Sequence, residues 1–576
     1  MQKYLFPVFT AVFLLLFFLG IPELSKRTLL RGSNKKISRT DLLLMAALTL
    51  FSGISEFTFL GNTSSVESFV NMNGKSAVIS CPDSTCPEEI VLFTGVGYGI
   101  YSFSFSEDGT EYGNEISLKQ DSGDVLRWKK TEFELPEQVH FIRITASGDA
   151  WLGEVCAIGN DSQQIPLQSS IPELTDEQER FCPEYDFRNS SYFDEIYHAR
   201  TAWEHLNNVY PYEISHPPLG KLIISLGIAL FGMTPFGWRF SGTLFGVLMT
   251  PIMYVFLKKL FGSTRSAAAG TLVFASDFMH LVQTRIATID TYSVFFILLM
   301  YLFMYIYISE DKLWALACCG ISFGLGAASK WTSIYAGAGL AVIWLVYRLI
   351  KRKEGFCGFL KNALFCTVFF ILIPCCIYYL SYFPYGRAQN VTNIFSRDYL
   401  KIVLDNQAYM FNYHSGLVAT HPYSSYWYQW VLNIRPILYY LQYFDNGTRS
   451  SFGAFLNPML CWGGLLSLFI VLYRSTFYID REASFITVGY LSQLVPWIFI
   501  TRLTFEYHYF PCTIFLTAAV TYVFSIMEKS GKHAKLYIWS FSLFSVVLFF
   551  VFYPVLTGLP VSSSTWLFRW LPTWPF

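Results

Sequence analysis

Two adjacent acids, Asp194 and Glu195, stand in the stretch Tyr192-Phe-Asp-Glu-Ile-Tyr-His-Ala-Arg200, directly ahead of the main block of apolar segments. Carboxylates at the edge of a hydrophobic bundle are costly to desolvate, so a pair kept there points to function. Consecutive residues on a helix point about 100° apart, which predicts separate tasks for the two acids. One would serve as a general base and the other would orient a partner group. Asp194 lies one helical turn from His198, and Phe193, Tyr197 and Trp203 give the stretch the pattern of a helix lying along an interface. His198 and Arg200 are the polar groups within it that can contact substrate.

Further polar clusters follow. Ser215-His-Pro-Pro-Leu-Gly-Lys221 sets His216 and Lys221 around two prolines that exclude regular helix at His216. Phe236-Gly-Trp-Arg-Phe-Ser-Gly242 puts Arg239 at the outer end of an apolar run. A guanidinium there suits a phosphate, because its planar fork binds oxygens two at a time. Between two apolar runs lie Asp277, His280, Gln283, Arg285 and Asp290, too many polar groups for a lipid-facing turn. Arg285 and Asp290 are candidates to pair with one another. Lys330 is a second candidate for phosphate. Thr420-His-Pro-Tyr-Ser-Ser-Tyr-Trp427, which carries His421, is dense in aromatic rings that suit sugars and membrane interfaces alike. Arg502, Glu506 and His508 close the series.

The elements that must hold these groups are membrane helices. Of 576 residues, 53% are hydrophobic and 14% charged, against about 25% charged in ordinary soluble domains. Apolar runs long enough to cross a bilayer recur near residues 4–20, 41–60, 240–258, 266–284, 291–308, 313–329, 331–347, 359–381, 453–473, 483–500, 508–527 and 536–556. This predicts a polytopic α-helical membrane protein with about twelve spans. Basic clusters at Lys26/Arg27/Arg31/Lys35/Lys36/Arg39, Lys258/Lys259/Arg265, Arg348/Lys351/Arg352/Lys353/Lys361 and Lys529/Lys532/Lys535 all fall on one side, which is then cytoplasmic. The polar clusters converge on the opposite face, in a cell membrane with the active face extracytoplasmic. The zero formal net charge excludes a global field for nucleic acid.

Residues 1–60 read as two N-terminal spans, the first a retained helix rather than a cleaved signal. Residues 61–170 are polar. Ile100-Tyr-Ser-Phe-Ser-Phe-Ser106 and Val139-His-Phe-Ile-Arg-Ile-Thr145 alternate as half-buried strands do, which predicts a small antiparallel β-sandwich outside the membrane. Its final segments resemble discoidin-like, galactose-binding sandwiches. That implies a bound glycan or acceptor, or else a structural cap. Residues 171–239 form a linker and outer loop with the acidic pair, and 240–576 the helical core with an outer loop at 382–452. Cys81, Cys86, Cys156 and Cys182 lie in the outer part, where disulfides are possible and the pairing is open.

Taken together, Asp194–Glu195, His216-Pro-Pro-Leu-Gly-Lys221, Arg239-Phe-Ser-Gly242, Gln283-Thr-Arg-Ile-Ala-Thr-Ile-Asp290, Lys330-Trp-Thr332 and Tyr507-His-Tyr-Phe-Pro511 resemble the protein O-mannosyltransferase family of GT-C glycosyltransferases. The resemblance covers about residues 190–530 and looks bacterial, since the 382–452 loop is too short for the β-trefoil of eukaryotic members. It implies a polyprenyl-phosphate-linked sugar donor, typically mannose, a Ser or Thr hydroxyl of an exported protein as acceptor, and inversion at the anomeric carbon. It also implies that Asp194–Glu195 is the family's acidic pair and Arg239 its essential arginine.

A polyprenyl phosphate is already a good leaving group, so charge stabilisation by Arg239, Lys330 or Arg502 and one base, Asp194, would suffice. No cofactor is indicated. A divalent cation is compatible with the acidic pair, although no metal-ligand spacing accompanies it. The same fold could instead glycosylate an envelope polymer or glycolipid. A transporter of lipid-linked sugars would show internal repeats and polar groups at the bilayer midplane, and neither is evident. A glycan sensor would leave the outer-edge motifs without a task.

Overall fold

The computed structural model describes residues 36–82, 87–121, 123–131, 133–136, 139–159, 163–181, 185–350, 355–530 and 533–576. The first expected span, most of the first basic loop, Lys351, Arg352, Lys353, Lys532, Cys86 and Cys182 lie outside these residues. The described chain forms two compact units, one of residues 59–212 and 223–241 and the other holding the remaining helices.

In the helical unit, eight helices among the described residues are long and apolar enough to cross a membrane. They lie at Arg39–Phe57, Pro235–Phe261, Asp290–Glu310, Ser333–Ile350, Cys357–Ala388, Met459–Tyr478, Glu506–Lys529 and Ala534–Thr557. Leu313–Ser329 is apolar but shorter, and Arg481–Ile498 is a helix that carries more polar residues. The helix Arg39–Phe57 begins at a capping box. Ser38 Oγ accepts from the Asp41 amide at 3.2 Å, and Asp41 Oδ2 accepts from the Ser38 amide at 2.8 Å. The basic end of Pro235–Phe261 is held there too, with Lys258 Nζ 3.3 Å from the Asp41 carboxylate.

One expected span breaks. Residues 266–284 form two helices, Thr264–Ala275 and Phe278–Thr284, instead of one. Ser276 and Asp277 prefer to satisfy a helix end over sitting inside one. Asp277 accepts from the His280 amide at 3.1 Å and from the Asn457 amide at 2.9 Å, while Asn457 Nδ2 donates to the Ser276 carbonyl at 2.8 Å. These side chains thus satisfy backbone groups that the break frees.

The 382–452 loop is more ordered than its polarity suggests. It holds the helix Arg397–Gly416 and a hairpin of Ile437–Tyr443 with Thr448–Ala454, joined by Asp445-Asn-Gly447. Gly447 takes a positive φ of 75°, as such a turn requires. Val561–Ser562 near the C-terminus adds a third strand.

The other unit contains two antiparallel sheets. In one, Val70–Asn71, Trp151–Ile158, Glu89–Thr94 and Arg127–Lys130 lie side by side, with Gln164–Ile165 also on Trp151–Ile158. In the other the order is Gln168–Ser169, Ser76–Ser80, Phe141–Asp149, Tyr98–Ser106 and Ile116–Lys119. The alternating residues Tyr101, Phe103, Phe105, Ile142 and Ile144 turn inward and meet Ile90, Leu92, Leu152 and Val155 in one core. Each such fully buried side chain contributes about 1.5–3 kcal/mol. Cys156 is buried in this unit with Gln164 Nε2 donating to its Sγ, and it forms no disulfide among the described residues.

Candidate functional site

In the sandwich-bearing unit, the acidic pair opens the helix Glu195–Leu206. The chain reaches it along a fixed path, with the Ser191 amide donating to the Leu126 carbonyl at 2.9 Å. Phe193 then takes a left-handed φ of 47°, a conformation that costs an L-residue roughly 1–2 kcal/mol. Strain stored immediately before a candidate base is a mark of a functional position. Asp194 follows as the residue preceding the helix, half-buried, and its side chain does not cap the helix. Its carbonyl accepts the amides of Tyr197 and His198, each at 3.1 Å.

Glu195 has a different fate. Its carboxylate is fully buried and meets Arg239, which is fully buried too. Arg239 Nε donates to Oε1 and Nη2 to Oε2, both at 2.7 Å, the two-point geometry of a strong ion pair. The same guanidinium donates to the carbonyls of Leu60 at 2.9 Å and Ser190 at 3.0 Å. The sequence presents Arg239 as a candidate for phosphate and Glu195 as the acid that orients the acceptor or a partner residue; in the structure each holds the other, and Arg239 also holds backbone carbonyls. Neither consequence is visible in sequence, because a separation of 44 positions says nothing of contact.

The rest of the acid-bearing helix is tied to the sandwich. Arg200 Nη2 donates to Asp149 Oδ2 and its Nε to Glu204 Oε1, both at 2.7 Å, and its guanidinium stacks 4.0 Å from the Tyr212 ring. Trp203 lies edge-on to Trp151 and Phe69, each at 5.6 Å between ring centroids. Burial pushes the Glu204 carboxyl up, while Arg200 draws it down. His198 is buried on this helix. Arg200 thus acts within the protein, a placement that its sequence setting did not distinguish from substrate contact.

The helical unit gathers most of the other candidates. Glu213, which the sequence reading passed over, collects Lys221 Nζ on its carboxylate and carbonyl and lies 3.1 Å from His216 Nδ1. The signal was available: an acid three residues before a histidine on a proline-stiffened turn. His414, also missed, faces His216 ring to ring at 5.1 Å, and its Nε2 donates to the Ser215 carbonyl at 2.9 Å. Burial pushes the His414 pKa down to about 4, helped by His216 and Arg502, and burial lowers that of His216 as well. Both rings are neutral at physiological pH.

Asp290 pairs with Lys330, whose Nζ lies 2.8 Å from both carboxylate oxygens. The Arg285–Asp290 pair considered from sequence does not form, and Arg285 instead reaches the Ser55 carbonyl at 3.4 Å. The Lys330 ammonium also lies 5.6 Å from the face of Tyr507. Gln283 is fixed by the hairpin, accepting from Tyr439 at 2.9 Å. His280 packs against Phe274 at 4.5 Å, with Nδ1 3.8 Å from Glu56, and Asp277 caps its helix as described. His421 lies edge-on to Phe505 at 5.0 Å and burial lowers its pKa. His508 stacks on Trp430 at 5.9 Å and packs against the tilted ring of Trp497 at 4.3 Å.

Arg502 stands apart. Its one hydrogen bond is from Nη1 to the Leu503 carbonyl at 3.2 Å, and no carboxylate pairs with it among the described residues. It is half-buried, and its charge reaches Tyr335, His414 and His508. A half-buried guanidinium with no acidic partner among the described residues is suited to receive an anion.

Comparison with known proteins agrees with the motifs. Residues 215–379 match the family model described as dolichyl-phosphate-mannose-protein mannosyltransferase, and residues 399–574 match the C-terminal four-helix membrane region of protein O-mannosyltransferases. The polyprenol-phosphate-mannose–protein mannosyltransferase of Mycolicibacterium smegmatis is 26% identical over 66% of this chain and 87% of its own length. That of Mycobacterium tuberculosis is 25% identical over 66% of this chain and 86% of its own. The Saccharomyces cerevisiae Pmt1–Pmt2 complex bound to its sugar donor superimposes with a TM-score of 0.59 at 13% identity, over 67% of this chain and 89% of the matched one. With family models over more than half of its length and this shared fold, the chain belongs to the protein O-mannosyltransferase family.

Proposed function

We propose that this multi-pass membrane glycosyltransferase moves mannose from a polyprenyl phosphate to Ser or Thr hydroxyls of exported proteins, on the extracytoplasmic side, with Asp194 as its base. The observation that carries the assignment of the base is the Glu195–Arg239 pair. It removes one acid of the two from solvent and leaves the half-buried Asp194 to do proton chemistry.

In this reading the acceptor hydroxyl oxygen attacks the anomeric carbon while Asp194 takes its proton. The bond from that carbon to the phosphate oxygen breaks on the opposite side, and polyprenyl phosphate departs with the electron pair. A single displacement of this kind inverts the anomeric centre. The leaving phosphate gains negative charge, so a cation must meet it. Arg502 takes this role, since Lys330 and Lys221 already face Asp290 and Glu213. Arg239 acts through Glu195 as a positioning residue.

The test is transfer from labelled polyprenyl-phosphate mannose to a Ser/Thr-rich peptide in purified membranes. Wild type should transfer, and Asp194→Asn should fall by about 10²–10⁴-fold, the usual worth of a general base, with unchanged thermal unfolding. Near-normal transfer by a folded Asp194→Asn protein would remove Asp194 from the mechanism. Arg502→Gln should raise KM for the donor and leave peptide KM little changed.

A further inference from the structure

The sandwich-bearing unit holds a second set of carboxylates that glycosyl transfer does not use. Glu154 lies in the middle of the strand Trp151–Ile158 and is fully buried. Its Oε2 accepts the Glu177 amide at 3.0 Å. Its Oε1 is buried and has no partner among the described residues. A carboxylate oxygen from each of Glu154, Asp176 and Glu177 lies within 4.8 Å of the other two. No lysine or arginine pairs with any of the three among the described residues. Glu177 Oε2 in turn accepts from the amides of Glu67 at 3.0 Å and Ser68 at 3.3 Å. The group therefore joins the chain where it enters the sandwich, a central strand, and the segment that leaves it.

Three acids without a counter-charge, one of them wholly out of water, are an unstable arrangement unless something neutralises them. Glu154 Oε1, buried and without a partner among the described residues, sits with two further carboxylates close by, so the cluster has a strong demand for a proton or a cation. A proton on Glu154 would still leave Asp176 and Glu177 crowded against it. A single cation serves all three at once. We propose that Glu154, Asp176 and Glu177 form a divalent-cation site with all-oxygen ligands, of the class that Ca²⁺ fits best. Opposite ligands around Ca²⁺ stand about 5 Å apart, and the ion takes 6–8 oxygens, so waters complete the shell. The gradation of exposure supports this, from buried Glu154 through half-buried Glu177 to exposed Asp176, which gives the ion an open side for entry. The cation acts as a staple between the entry and exit of the sandwich and takes no part in the transfer step.

The experiment uses the full chain in detergent, stripped with a chelator and titrated with Ca²⁺ by calorimetry. One saturable site is expected, together with a rise in the unfolding temperature on adding Ca²⁺, and weaker binding of Mg²⁺. Asp176→Asn, an exposed change that folding tolerates, and Glu154→Gln should each weaken Ca²⁺ binding at least tenfold and remove its effect on unfolding. Absence of saturable Ca²⁺ binding by wild type would overturn the proposal. So would Ca²⁺ binding that both variants retain. Because neither readout is sugar transfer, its outcome is independent of the assignment of Asp194.

Discussion

At the residue scale, Glu195 and Arg239 show what position alone leaves open. Two charged groups near a membrane edge form a buried, two-point ion pair. Removing one member of such a pair leaves the other uncompensated, which typically costs about 3–5 kcal/mol. Glu195→Gln and Arg239→Met should therefore each lower the unfolding temperature measurably. Asp194→Asn, one residue away, should leave it in place while ending transfer. If all three variants unfolded alike, the division of labour between the acids would fail. The contrast was legible only in part, since the acidic pair announced itself but its partition did not.

Whole elements are fixed by close approaches that single residues permit. Gly246 lies in the helix Pro235–Phe261 where a Cβ would strike Glu56 and come within 2.5 Å of Thr284 Cβ. Gly246→Ala should destabilise the helical unit by about 1–3 kcal/mol through overpacking, read as a lowered unfolding temperature. The helix Arg397–Gly416 gives a pH dependence. His414 is neutral, with a folded pKa of about 4 against an unfolded value near 6.5, and it faces His216, Arg502 and Lys330. Between those values the unfolded chain binds more protons, so stability is fully present above pH 6.5 and declines as pH falls toward 4. Unfolding temperatures measured at pH 7.5 and pH 5 should show this decline, and His414→Gln should flatten it. The hairpin was missed in sequence although Asp445-Asn-Gly447 after the Tyr-rich run 437–443 is a turn signal. The long apolar neighbourhood hid it. The broken helix at Ser276–Asp277 was missed because hydropathy averages over two polar residues whose partners are distant in sequence.

At the scale of the whole molecule, charge distribution sets the side on which each loop lies. The basic loops predict that exposed Cys357 faces the cytoplasm, while Val418, 98% exposed, lies in an outer loop. A membrane-impermeant maleimide should label Val418→Cys in intact cells and should reach Cys357 only after permeabilisation. The reverse pattern would invert the topology and move the active face to the cytoplasm.

Sequence alone determined the membrane class, the family and the position of most helices, because apolar runs and short motifs are local signals that survive without contacts. It also singled out the acidic pair, whose desolvation cost is a property of its immediate neighbours. The tertiary structure decided which charges are spent and which remain. Arg239 closes on Glu195, Lys330 on Asp290 and Lys221 on Glu213, while Arg502 keeps no acidic partner among the described residues. These outcomes depend on residues brought within about 3 Å of each other, the reach of a hydrogen bond. Sequence separation carries no trace of that distance. Glu213, His414 and Glu154 were overlooked for the same reason. His414 and Glu154 are unremarkable in their own stretches, and even Glu213, three residues before a histidine, gains its meaning from the Lys221 that closes on it.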